Sequence, residues 1–398
     1  FPRLRSVQAR HHSFRIEWHA TACCLLVGTT SLFLVIAPEI TGDALAYHLR
    51  LPTYYQYAHK FYLVSHQFCA GYPSHIEMLF MIGQMITGDT LAKLINLGMA
   101  CGLVMLTSMV GRELSAPPRL TSLLMISTPL VAFSATRAYI DIGVALYSTL
   151  MCYGLLRYLD TRSWHWLFIS GLALGWSLSS KYTALFWIPT LLVAVARMEL
   201  RTRWRACFLL LLGPGAVVAL PWYLKNMCLY GNPVTPLGDL LRYQLTTARD
   251  GLMGPLIHFQ LRGMDLMEIG RRLTSILTDG GGINGPMLPI IAACLPLITF
   301  FPAEPRQRLA RTLLVGFVFA WLSVRTDVRY VLPVLPLLSV VVAQGMLGCS
   351  DSLGSGPFLA VLGRAVMIAG CAYTPYNGWE KRGDEQVALG FQSQLAAA

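Results

Sequence analysis

The sequence is poor in charge. Asp, Glu, Lys and Arg make up 13% of its 398 residues, against roughly 25% in a soluble domain. With 55% hydrophobic residues and repeated apolar runs of about 20 residues, this excludes an ordinary soluble fold and indicates a polytopic helical membrane protein. Period-2 alternation is weak, which argues against an outer-membrane barrel. The ten cysteines show no CxxC pair and no His/Cys cluster with metal-ligand spacing. Most lie inside apolar runs, where a thiol behaves as a small hydrophobe. Cys69 and Cys228 fall on the same outer face by the topology below, so a disulfide between them is compatible with the sequence. Neither internal repeats nor the inverted-repeat symmetry of many transporters is present. The net charge of +11 falls mostly into short loops on one side, so it does not point to nucleic acid.

The spans read from the sequence are Trp18–Ala37, Leu91–Val110, Leu120–Phe133, Ile140–Leu159, Trp166–Ser180, Thr183–Ala196, Ala206–Leu224, Pro289–Phe301, Thr312–Val324 and Val331–Leu347. A further segment, Phe358–Tyr373, carries Arg364. The expected fold is therefore all-α, a polytopic integral membrane protein of about 10–12 transmembrane helices by span length. No small-residue cleavage site follows Trp18–Ala37, so it is read as a retained span. Arginines cluster before the first span (Arg3, Arg5, Arg10, Arg15), then at Arg112 and Arg119, Arg157 and Arg162, Arg197 to Arg205, and Arg306 to Arg311. Each cluster is two crossings from the last, which places the N-terminus in the cytoplasm. The other face holds two long segments, 38–90 and 225–288. The first contains two amphipathic or apolar pieces, Asp43–Phe61 and Ser74–Ile86, joined by a turn at Gly71-Tyr72-Pro73, and the second piece suits an interfacial helix. The second segment includes the flexible run Gly280 to Pro286. The spans and outer loops form one unit over 1–350. Residues 351–398 hold the last segment and a polar tail.

Ionisable residues are costly near hydrocarbon, so those at the outer turns stand out. Asp43 follows the first span, with Tyr47 one helical turn on and His48 beside it. Arg137 and Asp141 lie between the third and fourth spans, Lys181 and Tyr182 between the fifth and sixth. Arg325, Asp327 and Arg329 lie between the ninth and tenth. Taken singly, each is a snorkelling or loop charge, and Asp141 is also a candidate helix N-cap. Together they place cations on the face where the positive-inside bias would remove them, which suggests an anionic ligand such as a phosphate at the membrane surface.

Six segments carry a resemblance. They are Gly42-Asp43-Ala44-Leu45-Ala46-Tyr47-His48-Leu49, Tyr72-Pro73-Ser74-His75-Ile76-Glu77-Met78-Leu79 and Ala138-Tyr139-Ile140-Asp141. Then come Gly171 to Gly175 with Lys181-Tyr182-Thr183, Pro221 to Asn226 with Gly231 to Leu237, and Arg329 to Pro336. In this order they resemble the lipid-linked-sugar-dependent glycosyltransferases of the GT-C fold, in particular the bacterial protein mannosyltransferase and aminoarabinose-transferase-like branch. Ala44 stands where many relatives have a second carboxylate. The sequence also ends in a short polar tail at Ala398, where many continue into a soluble domain.

The resemblance implies transfer of a hexose or pentose from a polyprenyl-phosphate donor, in the bacterial inner membrane, on its periplasmic face. The acceptor is a protein, lipid or glycan. Asp43 would be the general base. Lys181, Arg329 and Arg137 would stabilise the leaving phosphate. His48 would orient Asp43 or touch the phosphate, and Asp141 would position the acceptor or help hold a divalent ion. Tyr47, Glu77, Tyr182 and Lys225 complete the substrate-binding set. No cofactor is required, and with so few carboxylates a divalent metal ion is optional. Two other classes compete. A transporter or flippase for a lipid-linked substrate would use the same cations without needing Asp43, but its usual marks, repeats and mid-helix charges, are scarce. A non-catalytic scaffold subunit of a membrane complex would keep the fold without turnover.

The topology has a direct test. A cysteine placed at Tyr57 should be labelled by impermeant reagents from the non-cytoplasmic side, and cytoplasmic labelling would overturn the orientation.

Overall fold

The computed structural model describes residues 18–65, 67–197, 204–237, 267, 304–324 and 328–353. Every regular element among them is helical. The expected span Pro289–Phe301, the segment Phe358–Tyr373, the glycine run 280–286, Arg325 and Asp327 lie outside the described residues.

Helix α1 (Trp18–Ile36) is followed by the first outer segment. There a single wide turn, Ala44–His48, leads into α2 (Arg50–Ala58), a 3-10 turn (Phe68–Gly71) and α3 (His75–Thr87). The two pieces expected from the sequence are thus present, the first divided at Leu49. Helix α3 buries Ile76, Glu77, Phe80 and Gly83 on one side and exposes Ile82, Met85 and Ile86 on the other. At 13 residues and 1.5 Å per residue it is too short to cross a bilayer, and its apolar outer face suits the interface.

Next come α4 (Asp89–Glu113), α5 (Pro118–Ile126), α6 (Pro129–Ala135), α7 (Asp141–Thr161), α8 (Trp164–Leu178) and α9 (Trp187–Arg197). After these follow α10 (Trp204–Cys207), α11 (Gly213–Tyr230), α12 (Pro305–Val324) and α13 (Leu335–Leu353). Among the described residues, four stretches are long and apolar enough to cross a membrane: Asp89–Glu113, Asp141–Thr161, Trp204–Tyr230 and Arg329–Met346. The span expected at Leu120–Phe133 is two helices. Pro129 has no N–H and holds Thr128 extended (φ −82°, ψ 113°), so the helix stops and restarts. The span expected at Thr183–Ala196 likewise opens as a 3-10 turn, Tyr182–Phe186, before α9.

Helix α7 is the hub. It packs on α4, α8 and the 3-10 turn Val328–Val334 that precedes α13. Its buried face includes Ile142, Ala145, Met151, Cys152 and Leu156. Some of the polar groups in this core pair with one another. The Trp187 indole donates to Ser148 Oγ at 2.9 Å, and Ser148 and Ser177 share a hydrogen bond at 3.1 Å.

The Gly171/Gly175 pair does what a small-xxx-small motif allows. A Cβ on Gly171 would lie 2.6 Å from Leu211 O, and one on Gly175 would lie 2.6 Å from Val218 Cβ and 2.7 Å from Gly215 O. Helix α8 therefore touches the α10–α11 segment backbone to backbone.

At the end of the bundle away from Asp43, four charges join three helices. Arg157 pairs with Glu113 at 3.0 Å and with Asp160 at 3.6 Å, and Arg306 pairs with Glu113 at 3.4 Å and Asp160 at 3.5 Å. Arg157 and Arg306, loop charges by the sequence, are thus partners in a network between α4, α7 and α12. Cys69 and Cys228 are free thiols, so the disulfide the sequence allowed is not formed.

Gly175→Val should separate α8 from α11 and lower stability by about 1–3 kcal/mol, the usual range for overpacking. Thermal unfolding in detergent would read this as a clear drop in midpoint. An unchanged midpoint would show that the interface yields.

Candidate active site

The outer ends of α1, α7, α8 and the Val328–Val334 turn meet in one place. Each brings a charged residue that the sequence singled out.

Asp43 precedes the wide turn Ala44–His48, which begins where the Leu45 amide donates to Thr41 O at 3.0 Å. Arg329 comes from 286 residues further along the chain, and its Nη1 donates to Asp43 Oδ2 at 2.8 Å. The Asp43 side chain is 39% exposed, so it sits at the rim rather than in the core. Burial presses its carboxyl upward. The Arg329 guanidinium, by charge and by hydrogen bond, outweighs that and, with His48 and Lys181, holds the group below the usual carboxylate value.

Asp141 is the first residue of α7. The N-cap position is Ile140, one residue earlier, and the Asp141 side chain receives Lys181 Nζ at 2.5 Å. The N-cap reading is replaced by an ion pair. Lys181 sits just past α8, in extended backbone, and also lies over the Tyr330 ring at 4.4 Å. The guanidinium of Arg329 lies over the Tyr139 ring at 5.3 Å. Each cation thus has a carboxylate on one side and an aromatic face on the other. Tyr139 and Tyr47 are both pushed up, by burial and by the nearby Asp43 carboxylate, Tyr139 to about 12. Their phenols stay protonated and can donate.

His48 Nδ1 and Glu77 Oε1 are 2.9 Å apart, and both side chains are only 2% exposed. Glu77 therefore anchors His48 from below. The His48 ring stacks tilted on Tyr47, with centroids 4.0 Å apart.

Tyr182 and Lys225 serve the scaffold of the site. The Tyr182 hydroxyl donates to Thr235 O at 2.8 Å and approaches Gly71 O at 3.2 Å. Asn226 donates to the same Gly71 carbonyl at 2.6 Å, and Lys225 Nζ donates to Ala70 O at 3.1 Å. These bonds staple the first outer segment to α11. Gly71 is required here, since a Cβ would lie 2.6 Å from Thr235 Cγ2. Arg137 is buried, donates to Phe133 O at 3.1 Å and stacks on that ring at 3.6 Å. The structure thus gathers Asp43, Arg329, Asp141, Lys181, Tyr47 and His48 around one rim, with Arg137 set into the wall behind it.

Several residues that hold this rim were not singled out by the sequence. Lys93, buried in the first turns of α4, donates to Ala37 O. Asn96 donates to Ser134 O and Arg137 O, each at 2.7 Å. Glu39, also buried, accepts bonds from two chain segments. A lysine and an asparagine near the start of an apolar helix were visible signals of such a role.

The architecture has solved counterparts. It superposes on ArnT from Cupriavidus metallidurans bound to undecaprenyl phosphate with a TM-score of 0.60, at 14% identity, covering 91% of this chain and 75% of that one. The archaeal oligosaccharyltransferase AglB from Archaeoglobus fulgidus, in complex with an inhibitory peptide and a dolichol-phosphate, gives 0.53 at 13% identity, covering 93% and 56%. This chain has the fold of the GT-C membrane glycosyltransferases. Within the GT-C frame, residues 73–224 match the family model described as dolichyl-phosphate-mannose-protein mannosyltransferase. That stretch holds Glu77, Asp141 and Lys181. Asp43 and Arg329 fall outside it and join the site through the fold. Comparison with curated proteins by sequence gives no match.

Among the described residues, no three His, Cys, Asp or Glu side chains converge as metal ligands. Asp43 and Asp141 each already face a cation. This donor set does not fit a divalent ion.

Proposed function

We propose that the protein is a membrane glycosyltransferase that moves a sugar from a polyprenyl-phosphate carrier to an acceptor hydroxyl or amine. It works at the non-cytoplasmic face of a bacterial inner membrane. The observation that carries this reading is the pair of ion pairs, Asp43–Arg329 and Lys181–Asp141, at one rim where α1 leaves the bilayer. The GT-C fold supports it, since solved structures of that fold hold undecaprenyl phosphate and dolichol-phosphate.

The reaction can be written with the described side chains. The acceptor lone pair attacks the anomeric carbon, the bond from that carbon to the phosphate oxygen breaks, and the phosphate leaves with the bonding electrons. Asp43 takes the acceptor proton. Its Oδ2 is engaged by Arg329, so Oδ1 is the accepting oxygen. Arg329 and Lys181 meet the charge that grows on the departing phosphate. A phosphate entering the rim competes with Asp43 for Arg329. As the guanidinium turns toward it, Asp43 loses the partner that keeps it a weak base. Arrival of the donor and activation of the base are then one event. Asp141 keeps Lys181 aimed at the same point, and His48, buried and fixed by Glu77, backs Tyr47 at the rim.

Asp43→Asn should fold and bind donor, because the amide is nearly isosteric and still accepts a bond from Arg329. Turnover, followed as sugar release in nanodiscs, should fall by about 10²–10⁴-fold, the range of general-base catalysis. Full turnover would remove the base assignment.

Arg329→Gln leaves burial of Asp43 opposed only by the more distant His48 and Lys181. In the unmutated protein the lowered carboxyl keeps its ionised, active form down to low pH. In the variant the acid limb of kcat/KM should move to higher pH, and donor affinity should weaken. An acid limb at the same pH in both proteins would show that Arg329 does not tune Asp43.

A further inference from the structure

Glu39 accepts four hydrogen bonds, three from its own segment and one from across the site. Its Oε1 accepts from the Ile40 amide at 3.0 Å, the Thr41 amide at 3.0 Å and the Thr41 hydroxyl at 2.8 Å. Its Oε2 accepts from the Ala138 amide at 2.9 Å, 99 residues away in the chain. The side chain is buried, so water does not compete for these donors. Four N–H or O–H groups around one carboxylate are charge-assisted bonds in a dry setting, the strongest class of neutral-to-charged contact.

What those bonds fix is the base. Thr41 O is the carbonyl on which the turn carrying Asp43 starts, and Asp43 lies two residues beyond Thr41. Ala138 lies in the turn that ends at Asp141, and this turn also presents Tyr139 to Arg329. One carboxylate therefore ties the backbone that presents Asp43 to the backbone that presents Asp141 and Tyr139. Neither of those segments is a long helix with its own lattice of bonds. The segment 37–43 is held to the rest of the molecule by Lys93 at Ala37, by Glu39 through the Ala138 amide, by Tyr139 at the Thr41 hydroxyl and by Arg329 at Asp43.

We infer that Glu39 is a positioning residue that sets the separation of Asp43 from Asp141 and so the aim of the base at the acceptor. This rests on the reading of Asp43 as base, and the test separates the two. A carboxamide cannot reproduce the clamp. In Glu39→Gln one end is an NH₂ donor, and it meets either the Ala138 N–H or the Ile40 and Thr41 donors. One arm is lost whichever way the amide turns.

The experiment uses the full chain in nanodiscs with a polyprenyl-phosphate-sugar donor and four proteins: unmutated, Glu39→Gln, Asp43→Asn and the double variant. Glu39→Gln should lower kcat about 10–100-fold, the scale of a sub-ångström to 1 Å misplacement of a reacting group, with donor KM within about two-fold of the unmutated value. In the Asp43→Asn background the same change should cost nothing further, because the group it positions is gone. Thr41→Val, which removes the hydroxyl arm to Glu39 and that hydroxyl's bond to Tyr139 but leaves both backbone arms and the Ala138 arm, should lower kcat by a smaller factor and guards against misfolding of the main variant. If Glu39→Gln leaves kcat unchanged, or lowers turnover equally with and without the Asp43 carboxylate, Glu39 does not position the base. If Asp43→Asn itself turns over fully, the base reading fails whatever Glu39 does.

Discussion

A carboxylate at the edge of a hydrocarbon layer must be matched by a positive charge or lose its own. The outer rim of this molecule is organised around that constraint. Asp43 is matched by Arg329 and Asp141 by Lys181. Because the partners come from different elements, meeting the constraint also closes the fold. Arg329 draws the turn before α13 to the end of α1, and Lys181 draws the end of α8 to the start of α7. The same residues would serve a phosphate, which offers a cation what a carboxylate offers. Here the interaction that holds the rim together is also the one a substrate would replace.

The rim would still be loose without the packing beneath it. The first outer segment has a small apolar cluster of its own, Leu51, Tyr55, Val64 and Ala70, and is pinned at Gly71 by Tyr182 and Asn226, and at Ala70 by Lys225. Those donors lie on or next to α8 and α11, which approach each other through Gly171, Gly175 and Gly215. Glycine contact deep in the bundle thus sets where the outer segment is held.

Much of this was legible in the sequence, for a physical reason in each case. Helix length and hydropathy follow from the bilayer, so α1, α4, α7 and α8 lie within a few residues of the expected spans. The break at Pro129 was not read, because the apolar run passes through it and proline alone does not decide the matter, as Pro221 inside α11 shows. The charged candidates stood out because ionisable groups are rare in such a chain. Their pairing did not, because no local pattern joins Asp43 to Arg329 across 286 residues. Arg137 shows the converse. By type and place it resembled a phosphate ligand, but the structure lays it on Phe133, in the wall. Glu39 gave no local signal. An acid after Pro38 at the end of a span looks like any loop charge until the chain folds Ala138 against it.

The four-charge network at the far end bears on access. Helices α4 and α7 run about 30–40 Å at 1.5 Å per residue, from the rim to Glu113 and Asp160, where Arg157 and Arg306 join them to α12. A protein that carries cargo across a membrane must open each side in turn. Here the side away from the rim is fastened by ion pairs among three helices, all of which would have to part in every cycle. The rim, by contrast, is built of single contacts that a phosphate can exchange one for one. The two ends thus differ in kind, ion pairs shared among three helices at one and phosphate-exchangeable pairs at the other, and under the function proposed above that difference favours a substrate that enters and leaves at the rim.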